Sequence, residues 1–476
     1  MKKNFSLLLS ILCLSGFVGA QSRYTSTIQN RPNGSGIPNY PICNIDSTNS
    51  IAFYLDQGES LFSLINHSDY FNNLSVPIPP LFFNEHQAKL LPYLYGDCIL
   101  SVNDIYVVDN YAFFCGSIID TNHSSSHSDG VYGYVDLNYF YNGSTNIPIF
   151  CRTINTVTVL YRLVAFKYDN KYKIVAYGDD ISQHPYSHYD CFSKVIEVSD
   201  VMGSTICDVA TFACTFNAYG QATSKQFVDD IFLTEKYVVF TRHNWYVQTG
   251  TTRLACFSFG EKGHVVHDLC SSTGMYNYYI PNNEESNDIV IGTSLEEDRF
   301  AMAYLHNNGI NNFTKIRCID IPSMDNYFTL AFPKPEKENP ERMIYYPELK
   351  TLVLLQKIYN PQDFAYIQIV NSSITSIPIV NPYQSGFQSL QKLGNTSFIT
   401  TNGKTIFAAD ITASLPYSNA ACPFYYNMPV FFEKHTYPIK DVEPSFSQCS
   451  VVPTSFIAVV SQIKTNLDCL SIENDF

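Results

Sequence analysis

The chain has 476 residues, 45% of them hydrophobic and 15% aromatic, with a formal net charge of −14. That hydrophobic content excludes general disorder, and the acid excess repels phosphate backbones, so no nucleic-acid partner is expected. The aromatic load is 35 Tyr and 34 Phe against one Trp, residues suited to pleated, half-buried strands.

Residues 1–20 read as a secretory signal. Lys2 and Lys3 form a basic start, Leu7 to Val18 an apolar core, and Val18-Gly19-Ala20 a small-residue cleavage site. The apolar run is too short to span a bilayer, and no later segment is apolar enough to do so. The expectation is an exported chain without a transmembrane segment, secreted, periplasmic or held at the cell surface. Loss of Lys2 and Lys3 with the signal leaves 27 basic against 43 acidic residues, a net charge of −16. Thirteen cysteines remain once Cys13 is removed, an odd number. Cys207/Cys214 and Cys256/Cys270 are the nearest candidate bridges in sequence, while Cys115 and Cys256 fall inside expected strands, where thiols pack as small apolar groups. The expectation is mostly reduced core cysteines with one or two bridges. No CxxC pair occurs, so zinc ribbons and thioredoxin-like redox chemistry have no support.

Residues 21–50, with Asn33-Gly34-Ser35-Gly36 and several prolines, read as an extended leader. Ser50 to Leu55 is a short strand placed to complete the last blade of a ring. Residues 66–92 are irregular, with a helical turn expected at Glu85 to Leu91. The clearest pattern is Val102 to Gly116, VNDIYVVDNYAFFCG, which returns between Phe227 and His243 as FVDDIFLTEKYVVFTRH. Asp104 aligns with Asp230, Ile105 with Ile231, Tyr111 with Tyr237 and Phe114 with Phe240. An acidic corner opens an apolar strand, a turn follows, and an aromatic strand returns. Between these copies, Val157 to Tyr168 and Tyr172 to Tyr177 form a hairpin through Asp169-Asn170. A long insertion is expected from Gly178 to Lys225. Arg253 to Phe259 and His264 to Leu269 read as a second hairpin. Further copies begin near 288, 343, 390 and 450.

Seven starts, near 104, 156, 230, 288, 343, 390 and 450, fit a propeller period of about 40–50 residues once loop insertions are allowed. The fold expected is all-β, one seven-bladed β-propeller over residues 51–476, with six to eight blades admissible. Paired β-sandwiches also give short, regularly spaced strands, but have no reason to repeat one corner chemistry. In this layout the chain resembles the broad class of secreted bacterial β-propellers. Kelch double glycines, WD dipeptides and the Ser-x-Asp-x-Gly box are absent, so the resemblance carries no catalytic residues across.

Three histidine pairs raise a metal reading: His123/His127, His184/His188 and His264/His267. The first two sit in loops, and the third is placed on a strand, where i, i+3 spacing separates the rings. Only His184, His188 and Asp190, beside Cys191, form a cluster fit for a metal. Asp104, Asp230 and Asp288 recur at blade corners, where a carboxylate fixes a turn by accepting local backbone N–H groups. There is no GxSxG, HExxH or P-loop, no cofactor is expected, and no catalytic residue is assigned. Asn-x-Ser/Thr sequons, such as that at Asn142, mark surface loops. The function expected is recognition of a glycan or protein partner, with Asn244, Trp245, Tyr276, Tyr278 and Tyr279 lining a concave face. The other class is a glycoside hydrolase or polysaccharide lyase with its site at the channel mouth.

Overall fold

The computed structural model describes residues 23–27, 41–46, 49–56, 59–66, 82–92, 98–120, 128–144, 146–180, 192–212, 214–216, 222–246, 252–271, 285–307, 312–323, 325–334, 340–356, 363–370, 373–380, 389–401, 405–410 and 444–468. Strand β1 (Arg23–Thr27) is set aside from its sequence neighbours. From β2 onward the strands come in antiparallel fours. Blade I is β2 (Ile42–Asn44), β3 (Asn49–Asp56), β4 (Glu59–Asn66) and β5 (Phe82–Pro92). Blade II is β6 (Cys98–Val108), β7 (Tyr111–Asp120), β8 (Ser128–Asp136) and β9 (Asn146–Ile154), with the single-turn helix α1 (Asn138–Tyr141) between the last two. Blade III is β10 (Val159–Tyr168), β11 (Lys171–Asp180), β12 (Phe192–Val198) and β13 (Ile206–Thr211). Blade IV is β14 (Cys214–Phe216), β15 (Ala222–Leu233), β16 (Tyr237–Tyr246) and β17 (Thr252–Glu261), followed by α2 (Val265–Leu269). Blade V is β18 (Glu285–Ser294), β19 (Arg299–Asn307), β20 (Asn312–Asp320) and β21 (Asp325–Lys334). Blade VI is β22 (Pro340–Tyr346), β23 (Thr351–Gln356), β24 (Asp363–Val370) and β25 (Ser373–Val380). Blade VII is β26 (Ser389–Leu393), β27 (Ser397–Thr401) and β28 (Thr405–Asp410), completed by β1 against β28.

The inner strands β2, β6, β10, β15, β18, β22 and β26 each pack beside the next, and β26 returns to β2. The described residues therefore form a closed seven-bladed β-propeller. In blade IV the inner role belongs to β15, and β14 is a short addition at its start, with Cys214 opposite Lys225. The last strand, β29 (Ser445–Asp468), belongs to no single blade. It pairs in succession with β13, β9, β5 and β1, and so runs as a strap across blades III, II, I and VII.

Blade packing explains the unbroken apolar runs. Both faces of a blade meet another blade, so a strand must be apolar at every position rather than at alternate ones. On β7, Ala112 and Phe114 enter a core shared with Phe53 and Phe62 of blade I, while Phe113 and Cys115 enter a core shared with Leu163 and Ala176 of blade III. On β16, Val238 and Phe240 face blade III, and Val239 faces Val290 and Phe300 of blade V. The hairpin at Asp169-Asn170 has positive φ at both residues, 49° and 60°, the two-residue turn whose twist matches flanking strands.

The blade count agrees with the sequence reading, but two segments exchange places. Residues 451–460, expected to form a seventh copy, lie in the strap. The missing blade comes from residues 42–92, where the turn expected to be helical at Glu85 to Leu91 is strand β5. Ser50 to Leu55 lies within β3 of blade I, and β1, from the stretch expected to be leader, closes blade VII instead. The insertion expected from Gly178 to Lys225 contains β12, β13 and β14. His264 to Leu269 ends in helix α2 rather than a strand, because the Glu197 carboxylate of blade III accepts the Val266 N–H at 2.9 Å and holds the helical turn.

Candidate functional site

The repeated acidic corner is a β-bulge. Register shifts fall between Val102/Asp104, Leu160/Arg162, Val228/Asp230, Ser286/Val290 and Pro340/Arg342, at matching places on five inner strands. A bulge sets two residues of one strand against one of its partner and re-aims their side chains. In blades II and III the partner is glycine. A Cβ on Gly116 would lie 1.8 Å from the Ser101 carbonyl oxygen, and one on Gly178 would lie 2.0 Å from that of Val159.

These bulges place Asp104, Arg162 and Asp230 on three consecutive inner strands. Arg162 Nε lies 3.8 Å from Asp104 Oδ2, and its Nη1 pairs directly with Asp230 Oδ1. Each carboxylate also binds the backbone of the next blade. Asp104 accepts the Leu163 N–H at 3.0 Å, Asp230 accepts the Gly292 N–H at 3.0 Å, and Asp229 accepts the Val290 N–H at 3.1 Å. Asn103 follows the same rule, donating to the Leu160 carbonyl at 2.7 Å. The corner carboxylates therefore join blade to blade, which corrects the expectation of purely local turn-fixing. Burial raises the Asp104 carboxyl above its usual range, partly offset by Arg162 and Arg342. Burial, reinforced by repulsion from Arg342, brings the Arg162 guanidinium down to about 10 against the pull of Asp104. Asp288 sits beside the corresponding shift on β18, but its side chain lies outside the described residues.

Beside this layer His243 Nδ1 meets both Asp229 carboxylate oxygens at 2.8 and 2.9 Å, and its ring stacks on Phe227 with centroids 4.7 Å apart. Tyr177 of blade III donates its hydroxyl to the Asp229 carbonyl. Burial raises the Asp229 carboxyl, with His243 as the main offsetting charge. The side chains of His243 and Asp229 are only 11% and 6% exposed, so the pair is enclosed.

A second cluster lies on the seam between blades II and III, open to solvent. Tyr172 and Tyr111 have ring centroids 5.2 Å apart, Tyr111 and Tyr134 5.7 Å, and Tyr134 stacks on Phe150 at 4.9 Å. The three tyrosines are half-buried and Phe150 is 41% exposed. Charges flank the line. The Tyr172 hydroxyl donates to Asp109 Oδ2 at 2.7 Å, which with burial pushes that phenol up to about 12. Lys167 Nζ stands 5.5 Å over the Tyr172 ring, and Arg152 donates to the Met202 carbonyl at 3.2 Å. Sequence reading missed this line because its members come from positions 111, 134, 150 and 172 on four strands. The signal within reach was the aromatic content of the first hairpin.

Asn244 and Trp245 occupy the end of β16, opposite Leu254 and Arg253 of β17. Their side chains lie outside the described residues, as do Tyr276, Tyr278, Tyr279, His184, His188, Asp190, His123 and His127 altogether. Among the described residues no group of three His, Cys, Asp or Glu is arranged to hold a metal ion. His267, expected on a strand, lies on α2, stacked on Phe446 at 4.7 Å and 3.9 Å from Asp208. No helix among the described residues is long and apolar enough to cross a membrane.

No protein-family model matches this chain, and no curated protein matches it in sequence. Several solved structures show distant likeness, among them the following two. Semaphorin 2a of Drosophila overlaps at a TM-score of 0.39 and 9% identity, over 78% of this chain and 75% of that one. The GH32 beta-fructofuranosidase of Bombyx mori overlaps at 0.28 and 7%, over 94% and 93%. Overlaps this low add nothing to the architecture, which rests on the strand pairing itself.

Proposed function

We propose that this propeller is a recognition module that binds a carbohydrate, acting as an exported protein. The observation that carries the reading is the solvent-open line Tyr172–Tyr111–Tyr134–Phe150. Aromatic rings pack on the apolar faces of sugars, and groups at fixed positions beside them orient hydroxyls. Asp109 and Arg152 stand beside the rings, one to accept from hydroxyls and the other to donate. By contrast, the charged layer around the axis is engaged with itself and with backbone, and so serves cohesion. A glycan array on the full chain, followed by titration of the retained oligosaccharide, tests the reading. Phe150→Ala with Tyr134→Ala should weaken binding at least tenfold while the melting temperature changes little. Retention of every ligand by that variant, or capture of a protein partner with no glycan bound, would overturn it.

One observation favours a second reading, a carbohydrate-active enzyme. Asp229, Asp230, His243 and Tyr177 bring two carboxylates, an imidazole and a phenol together near the axis. A carboxylate bound to Nδ1 orients an imidazole for acid–base work at Nε2. The enclosure of the pair and the backbone N–H bonds to both carboxylates weigh against it. A turnover screen on polysaccharides separates the two, since loss of activity in Asp229→Asn would support the enzyme.

A further inference from the structure

The strap begins on blade III, where Cys449 of β29 lies directly opposite Cys207 of β13. Their sulfurs are 2.7 Å apart. Two thiols in ordinary contact stand farther apart than this, and a disulfide closes at about 2.05 Å across strands spaced as these are. We propose that Cys207 and Cys449 form a disulfide that fastens the strap to blade III. Neither pairing nearest in sequence is needed for it, and Cys207 is drawn to a residue 242 positions away.

The neighbours hold this register before any covalent bond exists. Phe446 stacks on His267, Gln448 donates to Asp208 Oδ1 at 2.7 Å, and the Val451 N–H reaches the Thr205 carbonyl at 2.9 Å. These contacts span both sides of Cys449, so the pair is positioned by the strands and not by the bond.

The chemistry suits exchange with a disulfide donor, a small-molecule or protein disulfide. Cys449 is half-buried and reachable, whereas Cys207 is 2% exposed. A hydrogen bond from the Cys207 thiol and the charge of Lys194 bring Cys449 down to about 7 against burial, while that same bond and burial raise Cys207. The Cys449 thiolate therefore attacks the donor first, forming a mixed disulfide and releasing one donor thiolate. Cys207 then gives its proton to that thiolate or to water and attacks the Cys449 sulfur, displacing the second donor thiol. The two protein sulfurs lose two electrons, the donor disulfide gains them, and the donor leaves as two thiols.

The bond closes the chain around blades IV to VII, because residues 207 and 449 bracket blades IV, V, VI and most of VII. A loop that long places a strong entropic limit on the unfolded chain. For a chain of this length the effect reads as a rise of about 4 °C in melting temperature.

The test is peptide mapping by mass spectrometry on the full chain, exposed to oxidised glutathione and then alkylated without reduction. The expected result is a linked pair of peptides carrying Cys207 and Cys449, and a melting temperature that falls by about 4 °C on adding reductant. In Cys449→Ser the link should vanish and the reductant-dependent fall with it. Alkylation of both thiols after oxidation, or a bridge from either to another cysteine, would overturn the proposal. The mapping needs only the natural chain, so a misfolded variant does not affect it.

Discussion

Replacing Asp230 by Asn tests whether the charged layer binds blade to blade. Asp230 is 2% exposed, and its carboxylate takes the Arg162 guanidinium, the Ile231 N–H at 2.7 Å and the Gly292 N–H at 3.0 Å. Asparagine keeps one acceptor oxygen but turns an amide toward donors. Arg162, itself 15% exposed, then keeps only Asp104 at 3.8 Å. Breaking one partner of a buried pair costs about 3–5 kcal/mol, and the retained oxygen puts this case near 3 kcal/mol. With an unfolding entropy of roughly 2.1 cal/mol/K per residue, the melting temperature should fall by about 3 °C. Urea unfolding offers two probes: Trp245, the single tryptophan, reports blade IV, and circular dichroism reports all the strands. Adding Arg162→Met removes the stranded charge, so the double variant should be less unstable than the single losses predict, by about 1 kcal/mol or more. A D230N chain within about 0.5 kcal/mol of the natural one, or strict additivity in the cycle, would refute the reasoning.

The remaining expectations concern pH, glycine and turn chemistry. Burial raises Glu197 from 4.5 to about 7, with the Val266 N–H and Lys173 offsetting it. The folded chain thus holds that proton more tightly than the unfolded one, and the stability is full below about pH 4.5 and lost as pH climbs through 7. Glu197→Gln removes this slope. Relative to the natural chain it should gain up to about 3 kcal/mol between pH 4.5 and 7.5, measured by urea unfolding, and an unchanged difference between the two would contradict the assignment. Gly178→Ala forces its Cβ to within 2.0 Å of the Val159 carbonyl, so a loss of at least 1–3 kcal/mol is expected by the same method. Asn170, at φ 60°, should accept Gly with little change, whereas Asn170→Val should cost about 1 kcal/mol or more in thermal unfolding.

Much of the ring was legible because its rules are local. The Val102 and Phe227 copies share an acidic corner because both carry a bulge at the same inner position. Glu85 to Leu91 reads as helical because Glu, Gln, Ala, Lys and Leu favour helices in isolation. Pairing with both β4 and β29 supplies long-range bonds that outweigh that preference. Residues 451–460 read as a blade copy for a different reason. A strap and a blade strand have the same alternation, and only the partner tells them apart. The charged layer was half visible: Asp104 and Asp230 stand out as repeats, but Arg162 and Arg342 share only their place beside a register shift, which local sequence does not display. His243 and Asp229 meet through a strand pair, and the aromatic seam assembles from four strands, so neither shows in any window of the chain.

The sequence by itself determined the strand period, the turn at Asp169-Asn170 and the acidic corner shared by Asp104 and Asp230, since each depends on residues close in the chain. Only the tertiary structure decided which strand closes the ring, which cysteine faces Cys207 and which cation neutralises Asp230. Those choices rest on contacts between residues tens to hundreds of positions apart, made when β1 and β29 reach back across the blades. Such partners are selected by space and shape, which no local pattern encodes.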